Sequence, residues 1–96
     1  MKGAFKNPFD VKIHPEEPVY VITVVSQIVR IPIWTLRKLD ELGVVRAKRI
    51  GKKTRCYSHQ QIAVLNYIHY LMEKRHVNIS ALKLVLEMEI KIKNKT

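Results

Sequence analysis

Residues 23–57 read TVVSQIVRIPIWTLRKLDELGVVRAKRIGKKTRCY, and the spacing of their apolar side chains decides the fold. Val24, Val25, Ile28 and Val29 recur at helical intervals, which predicts a short helix capped by the Thr23 hydroxyl and ending near Val29. Its β-branched content is unfavourable in isolation, so packing has to hold it. Pro32 suits the first turn of a second helix, where its missing N–H has no partner to lose. That helix turns Ile33, Leu36 and Leu39 inward, counts Leu42 on the same core face, and stops at Gly43 in a left-handed cap. About three residues separate the two helices, the spacing of a helix-turn-helix.

Toward the C-terminus, the runs from Val44 to Ile50 and from Thr54 to Tyr57 flank the polar turn Gly51-Lys52-Lys53, which reads as a hairpin. Ser58-His59-Gln60-Gln61 has the capping-box pattern and opens a third helix, whose stripe of Ile62, Leu65, Ile68, His69 and Met72 runs to about Lys74. A break at His76-Val77-Asn78 precedes a fourth helix, with faces marked by Ile79, Leu82, Val85, Leu86 and Met88 or Glu89. Toward the N-terminus, Val19 to Ile22 is a short extended stretch. Residues 1–18 hold three of the four prolines and show no sustained period. The expected organisation is an extended arm over 1–18, a winged helix-turn-helix over 19–90 and a polar tail over 91–96. The fold class is mainly α with a small β-hairpin. Phe5, Phe9, Val11 and Ile13 give the arm a means of docking.

Ninety-six residues suffice for one core, and 18 Lys and Arg against 8 Asp and Glu give a net charge of +10. Such a balance suits a polyanion: DNA, RNA or an anionic membrane. Placement is more informative than the total. Between Val19 and Gln60 nine basic residues meet two acidic ones, and six of the nine (Arg46, Lys48, Arg49, Lys52, Lys53 and Arg55) crowd the hairpin. A solvated surface loop would look the same in isolation. Directly behind a helix-turn-helix, the cluster instead fits a clamp on a phosphate backbone. The second helix would then read the major groove with its N-terminal and exposed residues Ile33, Trp34, Arg37 and Lys38. Arg37 can clamp a phosphate or read guanine. Trp34 is open between bracing the hairpin and meeting thymine methyl groups.

No catalytic constellation is present. His14, His59, His69, His76 and Cys56 lack paired ligand spacing, and Cys56 with His59 forms only a lone C-x-x-H, so neither a metal nor another cofactor is expected. Ser58 is a cap without a His/Asp partner, and three glycines build no phosphate loop. A single cysteine, no leader pattern and no membrane-length apolar run point to a cytoplasmic, nucleoid-associated protein that does not enter the membrane.

Tyr20-Val21-Ile22-Thr23, Thr35-Leu36-Arg37, Leu42-Gly43-Val44-Val45, Arg49, Arg55-Cys56-Tyr57-Ser58, Val77-Asn78-Ile79, Leu82-Lys83 and Leu86-Glu87 together resemble the MerR family of transcriptional regulators, most closely its heat-shock-repressor branch. The likeness runs in register from about Tyr20 to Glu89. It implies a winged helix-turn-helix supported by a helical pair, and dimers bound to inverted repeats. It also implies phosphate or groove contacts by Thr35 and Arg37 on the recognition helix and by Arg55 and Tyr57 in the wing. Three positions depart from the family pattern: Arg30 stands where the turn usually has Gly, Leu39 where an aromatic is common, and Ala47 where Pro usually follows. Ten residues follow Leu86, too few for the family's long antiparallel coiled coil, so a homodimer would be DNA-dependent. A protein corepressor is compatible with the heat-shock branch, though no residue displays it.

The expected function is therefore a non-enzymatic, sequence-specific double-stranded-DNA-binding regulator, a repressor of the heat-shock type. An excisionase-like or architectural DNA-bending protein is the alternative. A basic module for RNA or an acidic protein is a third reading.

Overall fold

A computed structural model describes residues 13–95. Most of the expected arm, including Phe5, Phe9 and Val11, lies outside these residues. The chain enters through a turn closed by the Glu17 N–H on the His14 carbonyl, and strand β1 (Pro18–Val21) follows. Helix α1 (Ile22–Val29) buries Val25 and Val29, which is how a β-branched segment is held helical. It starts one residue before Thr23, so Thr23 lies inside the first turn and caps nothing; Val21 occupies the cap position without a side-chain bond. Val24 and Ile28 face solvent, because a helix packed along one stripe buries only one residue of each adjacent pair.

Helix α2 (Ile33–Glu41) begins directly after Pro32, whose carbonyl accepts the Thr35 and Leu36 N–H groups. Its C-terminus is a Schellman motif: the Val44 N–H reaches the Leu39 carbonyl and the Gly43 N–H the Asp40 carbonyl, with Gly43 at φ 77°. Leu36 and Leu39 are buried as expected. Leu42 is not in the core; it is 40% exposed, since the turn at Gly43 swings the chain away before Leu42 can complete the stripe.

The hairpin is shorter than its apolar pattern suggests. Val44 and Val45 form a bend, Val45 enters the core, and strands β2 (Lys48–Ile50) and β3 (Thr54–Ser58) pair antiparallel with Arg49 opposite Arg55. A third strand joins them. The Val19–Ile22 stretch, expected only as a lead-in, is mostly β1, and it pairs antiparallel with β3 to give the order β1-β3-β2. β3 is thus the central strand, and it carries the buried Cys56 and Tyr57.

Helix α3 (His59–Lys74) opens with the expected capping box: Ser58 Oγ accepts the Gln61 N–H while Gln61 Oε1 accepts the Ser58 N–H. Its buried residues Ile62, Leu65, Ile68 and Leu71 line the core beside α1 and β3. After the left-handed turn at His76, Asn78 caps a short 3-10 turn (Ile79–Ala81) that leads into α4 (Leu82–Lys95). α4 continues past the point where the pattern fades, so residues 91–95 are helical rather than a free tail. The architecture is a winged helix-turn-helix.

Leu65 is fully buried at the centre of this core, so Leu65→Ala should cost about 2–5 kcal/mol in urea denaturation, whereas Ile28→Ala on the exposed face should cost under about 1 kcal/mol. Comparable losses would contradict the assigned faces of α1 and α3.

Candidate nucleic-acid interface

The face built by α2 and the hairpin carries most of the residues expected to meet DNA, but not all remain free for it. Trp34 is 71% exposed, which decides its reading against the core. Arg37 and Lys38 stand exposed on the same helix, and Ile33 is half-buried at its start. No side chain caps the N-terminus of α2. On the hairpin, Lys48, Arg49, Lys52 and Lys53 are exposed, with Lys52 and Lys53 in the tip that Gly51 opens at φ 66°. Arg46 is exposed too, but its guanidinium folds back over the end of α2: a methyl group on Gly43 would lie 2.9 Å from Arg46 Nη2. A cation there is favoured by the partial negative charge at a helix C-terminus.

Three expected contacts are taken up by the fold. Thr35 is 4% exposed, because the turn of α2 that presents Trp34 outward necessarily carries Thr35 inward beside Leu36. Tyr57 is fully buried in the core, and its hydroxyl has no hydrogen-bond partner among the described residues. Burial and the nearby Asp40 carboxylate push the Tyr57 phenol up to about 12, against the smaller opposing effect of Arg55 and Arg49, so it stays neutral. Arg55, whose side chain is 17% exposed, donates from Nε to Asp40 Oδ2 at 2.8 Å. It braces the hairpin instead of extending from it.

The residue that organises this face is Asp40, which composition registers only as one of two local acids. It lies four residues after Leu36 on the inner side of α2 and is itself buried. An aspartate on a core face requires partners, and that is the signal by which the sequence could have revealed it. The partners are the Arg55 guanidinium, the Arg49 guanidinium at 3.7 Å and the Ala47 N–H, which donates to Oδ1 at 3.1 Å. Burial raises the Asp40 carboxyl, but the Arg55 hydrogen bond, the Ala47 N–H and the two guanidinium charges outweigh it and hold the group below its ordinary value of 3.8. Gln61 adds a second strut from α3, its Nε2 donating to the Arg46 carbonyl at 2.6 Å.

A profile of the MerR HTH family regulatory proteins matches residues 20–89. The chain belongs to the MerR family. These are helix-turn-helix transcription regulators that bind double-stranded DNA. The chain is similar to the Streptomyces coelicolor protein named heat shock protein HspR, with 33% identity over 89 residues, 93% of this chain. It spans 58% of that relative's length. Among the described residues of this MerR-family chain, no helix is long and apolar enough to cross a membrane, and no group of three or more His, Cys, Asp or Glu is placed to hold a metal ion. Cys56, on β3, is a free, buried thiol.

A carboxyl whose folded value is depressed contributes stability above its unfolded value and loses it as pH falls through the folded one. Asp40→Asn should therefore cost about 1–3 kcal/mol at pH 7, and the gap to wild type should close as pH drops below about 4. A gap that persisted unchanged into acid would show that the carboxylate charge is not what ties α2 to the hairpin. Tyr57→Phe removes a hydroxyl without a partner, so thermal melting should show no loss of stability; a loss above about 1 kcal/mol would mean that the hydroxyl is bonded.

Proposed function

We propose that this protein is a sequence-specific transcriptional repressor of the heat-shock type, with α2 as the reading element in the major groove and the hairpin as a wing on the phosphate backbone. One observation carries the reading. Trp34, Arg37 and Lys38 on α2 and Lys48, Arg49, Lys52 and Lys53 on the hairpin are exposed on two elements that one buried carboxylate fastens together. An exposed indole beside an exposed arginine supplies an apolar contact for thymine methyls and a bidentate donor for guanine or phosphate. The hairpin offers Lys48, Arg49, Lys52 and Lys53, a cluster of cations suited to the phosphate backbone. The heat-shock and repressor roles rest on the likeness to HspR.

In this reading two copies bind an inverted repeat, and the basic wing accounts for the salt dependence of binding. A protein corepressor is part of the same proposal. The chain works without a cofactor and without catalysis, in the cytoplasm on the nucleoid.

Selection from a pool of random duplexes tests the reading directly. An inverted repeat should be recovered, and it should outcompete random DNA by about a thousandfold or more. Tandem direct repeats would instead favour an architectural, excisionase-like protein, and an unenriched pool would refute both. On the selected duplex, Arg37→Ala should weaken binding by about 1–3 kcal/mol if it reads a base, with a smaller loss on random DNA. Changing Lys52 and Lys53 together to Ala should lower the slope of log K against log salt by nearly two; an unchanged slope would take the wing tip off the backbone.

A further inference from the structure

The turn between α1 and α2 is closed by Arg30, whose backbone lies at φ 61°, ψ 36°, in the left-handed region. Gly43 before the hairpin and Gly51 at its tip adopt the same region as glycines, at φ 77° and φ 66°, and His76 adopts it at φ 56°. A side chain in this conformation sets its Cβ against the following carbonyl, and glycine alone escapes the strain fully. The fold does require the bend. The Arg30 N–H donates to the Ser26 carbonyl, Ser26 Oγ donates to the Ile31 carbonyl at 2.6 Å, and Ile31 is then buried. None of these contacts uses the side chain at position 30, so glycine would serve the bend better. The Arg30 side chain is exposed, and among the described residues it makes no ion pair or hydrogen bond. Nothing that it does for the folded chain explains the strained conformation. Strained backbone concentrates at functional sites, and at position 30 the fold itself makes no use of the side chain that keeps the strain.

The geometry points to Arg30 as a further phosphate-binding residue, gripping the DNA backbone beside the groove that α2 enters. It stands three residues before Ile33, so its Cα lies within about 11 Å of the first residue of the recognition helix. Its planar guanidinium matches a phosphate, and among the described residues no acid pairs with it. The contact adds a cation on the α1 side of α2, opposite in sequence to the hairpin cations on the other, so that the backbone is held from both flanks. This inference rests on the DNA-binding reading above.

Three variants separate strain from charge. Without DNA, Arg30→Gly should raise Tm by a few °C, because the left-handed strain is relieved. On a random-sequence duplex, which offers the same phosphates, Arg30→Gly should weaken binding about fivefold to tenfold near 0.1 M salt and lower the salt slope by about one. Arg30→Asn, which tolerates the bend but has no charge, should show the same loss of slope. Arg30→Lys should keep the slope of wild type. The inference is overturned if Arg30→Gly binds like wild type with an unchanged slope, or if it lowers Tm, which would give Arg30 a role in folding. Wild-type protein that fails to bind any duplex would overturn the DNA-binding reading itself, a result distinct from a normal wild type with an indifferent Arg30→Gly.

Discussion

The Asp40 carboxylate is the constraint on which the rest of this face depends. α2 has nine residues and β2 three, and neither can keep a fixed position by its own interactions. Asp40 reaches from the end of α2 to the Ala47 N–H, where the chain enters the hairpin, and to Arg55 on the central strand. Burying a charge is costly, and two guanidinium groups and a backbone N–H offset that cost only in one geometry. The angle between the helix and the hairpin is therefore set by hydrogen-bond directions, which are sharper than apolar packing. The sheet beneath belongs to the same arrangement. β3 is held between β1 and β2, and Tyr57 on β3 seats the hairpin on the core formed by α1 and α3.

The nine basic residues between Val19 and Gln60 consequently divide into two groups that the net charge of +10 does not distinguish. Arg55 pairs with Asp40 and Arg46 folds over Gly43, while Arg49, half exposed at 3.7 Å from Asp40, both supports that pair and faces outward. Arg37, Lys38, Lys48, Lys52, Lys53 and Arg30 point outward with no internal partner among the described residues. The first group consists of arginines, whose fixed planar donors suit a defined internal geometry, and the hairpin's share of the second is lysine, whose mobile ammonium suits a backbone of repeating phosphates.

How far the fold was legible follows from the range of the interactions. The two helices, their short turn, the Gly43 cap and the Ser58–Gln61 capping box all depend on contacts within a few residues, and each appears where its local pattern puts it, except that α1 begins at Ile22, ahead of the expected Thr23 cap. β1 was not legible as a strand. Its partner β3 begins more than thirty residues later, and a four-residue extended stretch carries no period that names a partner. The core positions of α1 were only half legible, because adjacent β-branched residues do not say which of each pair faces inward.

By itself, the sequence determined that a basic hairpin follows a helix-turn-helix and that the chain resembles MerR regulators, since composition, spacing and turn chemistry are properties of neighbouring residues. Tertiary structure alone decided what each side chain is free to do. It exposed Trp34, buried Thr35 and Tyr57, and assigned Arg55 to Asp40 fifteen residues away. The physical reason is that burial and ion pairing are set by the surfaces that folding brings together. A residue's availability to a ligand is thus a property of the packed molecule, while its chemistry is a property of the chain.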